Sequence, residues 1–182
     1  MMDKQKVQQA IYDLLTALGE DTERDGLKDT PDRVARMYEE LIRGENEDAS
    51  VHLAKTFEAQ SSEAVAVKDI AFSSLCEHHL MPFFGTVSIV YLPENRVVGL
   101  SKLARTVEVF ARRLQLQERL TAQIADAVFG RLNAKGVLVY VKAEHTCMTC
   151  RGVNKIGSTT ESYAFRGNLT DEQKRRLWEM VK

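Results

Sequence analysis

The sequence is short of several things that would narrow its class, and each shortage excludes something. No apolar run approaches the ~18 residues a bilayer-crossing helix needs. The first residues, Met1-Met2-Asp3-Lys4-Gln5-Lys6, lead into a polar amphipathic pattern, so no membrane partner is expected. Charge of one sign is not in surplus either: 25 Lys and Arg against 26 Asp and Glu leave a net charge of −1. A nucleic-acid binder would usually carry a basic excess, so that partner is not expected, and any anionic ligand must be met by local clusters of Lys and Arg. Cysteine is scarce and odd in number, three in 182 residues without disulfide-like spacing. That predicts a reducing compartment, with the cytoplasm as the expected location. Internal repeats and low-complexity tracts are absent, and 44% hydrophobic with 28% charged residues suits a folded globular chain. At roughly 150 residues per domain, one main domain with a small appendage is expected.

What is present begins with helical patterning. Val7, Ala10, Ile11, Leu14, Leu15 and Leu18 recur at spacings of three and four, predicting a helix from about Asp3 to Leu18 stopped by Gly19. Thr30-Pro31 reads as a cap followed by a proline at the first helical position, ahead of Val34, Met37, Tyr38, Leu41 and Ile42, with Gly44 as the stop. The acidic, aperiodic run Glu45 to Ser50 reads as a surface linker. It divides an N-terminal helical region, 1–50, from a main domain, 51–182.

From Ala64 the pattern changes. Val65, Val67, Ile70 and Phe72 form a β-rich run ending just before Cys76-Glu77-His78-His79. Gly85 to Tyr91 alternates, and Pro93-Glu94-Asn95 turns the chain into a short extended piece, Arg96 to Gly99. Ser101 then caps a helix carrying Leu103, Val107, Val109 and Phe110, and a second helix carries Leu120, Ile124, Ala127, Val128 and Leu132. Val137 to Ala143 is an apolar strand ending at His145. A last strand is expected around Tyr163 to Phe165, and Thr170-Asp171-Glu172-Gln173 spells a capping box for a final helix. The order predicts an α+β fold, an antiparallel sheet with helices on one face.

The chemistry concentrates in two places. Cys76 and His79 stand three apart, so one turn aims a sulfur and a ring nitrogen at the same point, and zinc accepts that pair. Cys147 and Cys150 form a C-x-x-C beside His145. Spacing alone leaves two sites equally open: a closed structural one using all three cysteines with His79, and an open catalytic one with Cys76, His79 and Cys147 plus water. His78, beside a ligand, has a side chain whose ordinary pKa of about 6.5 suits proton transfer. Lys102 and Arg105 point the same way on a helix start, and Arg151 follows the cysteine pair, a grouping that fits phosphate as well as a solvated face.

Cys-Glu-His-His-Leu-x-Pro-Phe at 76–83, Gly-Leu-Ser-Lys-Leu-Ala-Arg at 99–105, Leu-Gln-Glu-Arg-Leu-Thr at 116–121 and His-x-Cys-Met-x-x-Arg-Gly at 145–152 together resemble the GTP cyclohydrolase I family, as does Thr30 to Tyr38. The resemblance spans nearly the whole chain, in order. It implies the tunnelling fold (T-fold) closed into an oligomeric barrel, a homodecamer of two pentamers with active sites shared between subunits. It implies conversion of GTP and water to 7,8-dihydroneopterin triphosphate and formate, the first step of tetrahydrofolate and pterin biosynthesis. By position it makes Cys76, His79 and Cys147 the ligands of one zinc ion per subunit, and Cys150 a bystander. His78, His145 and Ser101 match the proton-transfer candidates. Glu118 and Gln117 match the guanine contacts, and Lys102, Arg105, Arg151 and Arg33 the triphosphate contacts, some reaching in from a neighbouring subunit. A zinc-stabilised nucleotide-binding scaffold and a tunnelling-fold nitrile reductase are the alternatives; the first lacks turnover and the second lacks this ligand set. The chain departs from the family's usual spelling at Thr160 to Leu169.

Overall fold

The computed structural model describes residues 2–182. Its first two helices are α1 (Lys4–Ala17) and α2 (Thr30–Leu41), which pack on each other. Asp3 caps α1 by accepting from the Lys6 amide at 3.1 Å. Of the later caps predicted from the sequence, those at Thr30 and Ser101 do not form. Thr30 lies inside α2 behind Asp29, and Ser101 lies inside the first turn of its helix behind Gly99; neither cap position makes a side-chain capping bond to a backbone amide. In the first case Pro31 still sits in the first turn, where its missing N–H costs nothing.

The expected linker is folded. A 3₁₀ turn (Arg43–Asn46) runs into α3 (Ala49–Leu53), capped by Asp48, and Ala49 and Leu53 are buried while the acidic side chains point outward. Gly44 makes this possible: a Cβ there would lie 2.1 Å from the Val109 carbonyl oxygen, so only glycine lets the chain pass so close to the later helix Leu100–Ala111.

Then come β1 (Thr56–Glu58), β2 (Val65–Cys76), β3 (Met81–Leu92), β4 (Arg96–Val98), α4 (Leu100–Ala111), β5 (Leu114–Gln115), α5 (Gln117–Leu132), β6 (Gly136–His145), α6 (Thr146–Thr149), β7 (Thr160–Arg166) and α7 (Asp171–Glu179). The main sheet has the order β5-β2-β3-β6-β7, and β1 pairs with β4 apart from it. Four strands are antiparallel as predicted, while the two-residue β5 runs parallel to β2.

In β2 the core-facing residues change parity, from Val65 and Val67 to Ile70, Phe72 and Cys76. One extra residue must therefore bulge out, or half the strand would turn its apolar side to water. The register shifts between Val67 and Ile70, with Asp69 at φ 56° and its amide donating to the Ser88 hydroxyl (3.2 Å). Without this bulge Cys76 would face away from α4 and α5.

The core lies between one sheet face and α4 and α5: Phe83, Val87, Ile89, Val139 and Val141 meet Leu103, Val107, Leu120, Ile124 and Val128. Burying each such side chain fully is worth about 1.5–3 kcal/mol against exposure. The helices are not confined to that face. Leu177 and Val181, on and just beyond α7, cover Val90 and Leu138 on the other side, and the capping box predicted at Thr170 starts that helix.

Candidate metal centre and surrounding cavity

Strand register brings the two sequence clusters together. Cys76, last in β2, pairs with Met81 at the start of β3 and with Gln115 in β5, and Phe83 in β3 pairs with His145 at the end of β6. Three segments therefore meet at one end of the sheet: the 77–80 turn, the start of α5, and α6. The turn is tight, with the His79 and Leu80 amides both donating to the Cys76 carbonyl at 3.3 and 2.9 Å and Leu80 at φ 54°. It places His79 Nδ1 3.9 Å from Cys76 Sγ.

The four-residue α6 turns Cys147 back toward this pair. The candidate ligand atoms of Cys76, His79 and Cys147 all lie within 4.8 Å of one another, and Cys150 is exposed and outside the group. Two thiols and an imidazole at this spacing fit a tetrahedral cation that keeps one position open. Burial, then the neighbouring Cys76 thiol, pushes the Cys147 thiol above its ordinary value. The buried Cys76 sulfur and the half-buried Cys147 sulfur lie side by side, an arrangement that a cation would stabilise by taking both as thiolates.

These residues line a cavity of ≈ 320 Å³ together with His78, Gln115, Leu116, Gln117, Glu118, His145, Met148 and Thr160. His78 is exposed, its ring edge-on to His79 with centroids 6.2 Å apart. Glu118 is exposed in the first turn of α5. His145 is half-buried, and burial holds its imidazole below the ordinary value against the pull of Glu118.

The remaining predicted residues do not line the cavity within one chain. Ser101 and Arg105 are exposed and Lys102 half-buried on α4; Arg151 is exposed after α6, and Arg33 is paired with Asp29 at 3.1 Å on α2.

Sequence reasoning missed the brace around the turn. Arg119 donates to the Glu77 carboxylate, to the Leu114 carbonyl (2.8 Å) and to Gln115 Oε1 (2.9 Å), while Gln115, buried, donates to the Phe110 carbonyl (2.9 Å) and to Gln123 (2.8 Å). No spacing in the sequence signals it, because Arg119 and Glu77 stand 42 residues apart and meet only once β5 lies beside β2.

A sequence profile described as GTP cyclohydrolase I matches residues 7–181. A protein named GTP cyclohydrolase 1 from Clostridium perfringens (strain 13 / Type A) is 53% identical over 173 residues, 95% of this chain and 94% of that one. Another from Clostridium kluyveri (strain ATCC 8527 / DSM 555 / NBRC 12016 / NCIMB 10680 / K1) is 51% identical over 183 residues, 100% of this chain and 99% of that one. One from Carboxydothermus hydrogenoformans (strain ATCC BAA-161 / DSM 6008 / Z-2901) is 56% identical over 168 residues, 92% and 88%. The crystal structure of the archaeosine synthase QueF-Like in the apo form shares 22% identity at a TM-score of 0.46, over 61% of this chain and 100% of that one, too slight a likeness to argue from. With a family profile covering residues 7–181 and relatives more than half identical along nearly their full lengths, the chain belongs to the GTP cyclohydrolase I family.

Proposed function

We propose that the protein hydrolyses and rearranges GTP to 7,8-dihydroneopterin triphosphate and formate, the first step of tetrahydrofolate and pterin biosynthesis in the cytoplasm. The observation that carries this reading is the convergence of Cys76, His79 and Cys147 within 4.8 Å in a cavity that also holds His78, Glu118 and His145. Cys76, His79 and Cys147 would hold one zinc ion per subunit. Zinc in that place supplies Lewis acidity, which makes water nucleophilic near neutral pH.

The side chains divide the remaining work. Glu118 accepts from guanine N1–H and the exocyclic amine, a pattern adenine cannot present. His78 protonates N7 as water adds at C8, the C8–N9 bond then opens, and a second hydrolysis releases C8 as formate. His145 and Ser101 serve the proton transfers of ribose opening and rearrangement. Lys102, Arg105, Arg151 and Arg33 hold the triphosphate, which gives a near-neutral chain one positive pocket.

Those basic residues stand outside the single-chain cavity, which supports a site completed by a neighbouring subunit. The tunnelling-fold barrel, a homodecamer of two pentamers, is consistent with two features. The outer edges of β7 and most of β2 have no strand partner among the described residues. Leu14, Leu18, Tyr163 and Ile156 are exposed apolar side chains. Residues 1–50 act in this reading as a helical appendage to the catalytic domain, 51–182. The test is incubation of purified protein with GTP: formate and, after oxidation, a fluorescent pterin should appear, and both should vanish on chelation. Bound zinc with intact GTP would instead mean a nucleotide-binding scaffold.

A further inference from the structure

Gln117 heads the buried stripe of α5 and is 2% exposed. Its amide nitrogen lies 3.3 Å from the Val141 carbonyl oxygen, 3.0 Å from the Thr160 carbonyl oxygen and 3.0 Å from Ser162 Oγ. Two of those partners only accept, so the NH₂ end must face them; a flipped amide would set its oxygen against two carbonyl oxygens. That leaves Oε1 facing His145 Nε2 at 2.8 Å. An amide oxygen only accepts, so Nε2 must donate.

The neighbouring hydroxyls agree. Thr121 Oγ1 gives its proton to the Gln117 carbonyl at 2.7 Å, so the 2.7 Å contact between Thr121 Oγ1 and Ser162 Oγ must be donated by Ser162, whose oxygen is then free to accept from Gln117. Every proton has a place, and no buried side-chain polar atom is without a partner among the described residues. Phe83 stacks on the imidazole face, 4.5 Å between centroids, and holds the ring's plane.

We infer that Gln117 is a positioning residue which holds His145 as the Nε2–H tautomer, so that Nδ1 is the ring nitrogen through which His145 exchanges protons during turnover. This rests on the function proposed above. It exchanges the role that resemblance assigned to Gln117, a contact to guanine, for one carried out through His145, and it leaves base recognition to Glu118. It also gives the unusual tail a task, since Thr160 and Ser162 are the anchors that orient the amide. The same carboxamide thus reads the strand pair β6–β7 at one end and sets a tautomer at the other.

Two measurements test it. Solid-state ¹⁵N NMR of the zinc-loaded full chain, labelled at histidine, resolves four residues, and subtraction of the His145→Asn spectrum isolates one. At about pH 8.5, two units above the ordinary histidine value, His145 should show a protonated Nε2 and a bare Nδ1. The Nδ1–H tautomer, with a bare Nε2, overturns the inference. This arm needs no turnover, so it fails separately from the proposed reaction. In the kinetic arm Gln117→Met should lower kcat by about 10–100-fold with KM for GTP within about twofold and zinc content unchanged. Ser162→Ala should shift kcat in the same direction by less. A raised KM at unchanged kcat would return Gln117 to the guanine and overturn the assignment.

Discussion

Phe83 and His145 lie face to face, ring centroids 4.5 Å apart and planes 4° from parallel, and they are also directly paired across β3 and β6. The histidine is thus placed by sheet register, and its ring is supported by a residue with no exposed surface. Phe83→Leu should cost about 1–3 kcal/mol in urea unfolding, from lost volume and the lost stack, and should lower turnover more than it lowers zinc content.

Gly85 sits two residues along the same strand. A Cβ there would lie 1.9 Å from the Lys142 carbonyl oxygen, so β3 and β6 approach as closely as they do only because position 85 has no side chain. Gly85→Ala should destabilise the fold by about 3 kcal/mol. Because Gly85 pairs with Ala143, two residues from His145, the variant that still folds should show a displaced Phe83–His145 stack in its crystal structure.

The turn that carries two of the candidate ligands is braced by charge from α5. Arg119 bonds to Glu77, between the candidate ligands Cys76 and His79, and to the Leu114 carbonyl behind it. Arg119→Met keeps the apolar stem and removes the brace. Zinc affinity, measured by competition with a chromophoric chelator, should fall about tenfold or more while the melting temperature of the zinc-loaded protein changes little.

Zinc binding should also release protons. Burial and the adjacent Cys76 thiol raise the Cys147 thiol, so the metal-free protein holds that proton more tightly than an ordinary cysteine does at neutral pH. A cation must displace it, and apparent affinity should fall as pH is lowered. Calorimetric titration in two buffers of different ionisation enthalpy should report about one to two protons released per zinc.

Much of the molecule was legible beforehand, and the parts that were not share a cause. Long periodic segments declared themselves, and the change of parity between Val67 and Ile70 fits the bulge that aims Cys76 inward. The C-x-x-H and C-x-x-C spacings named every member of the group that could hold a metal but did not separate Cys147 from Cys150, because that depends on the single turn of α6. Glu45 to Ser50 read as a linker because its burial rests on Ala49, with the buried Gly44 just before it, which carry no periodic signal. The role of Gln117 depends on Val141, Thr160 and Ser162, 24 to 45 residues away, and nothing local announces such partners.

The central claim is that Cys76, His79 and Cys147 hold the metal that makes this cavity hydrolyse GTP. GTP labelled with ¹³C at C8 tests it most directly, with zinc content measured on the same samples. The wild type and Cys150→Ala should each carry one zinc per chain and release labelled formate, and Cys76→Ser should do neither. Loss of zinc in Cys150→Ala, or labelled formate from Cys76→Ser without zinc, would contradict it.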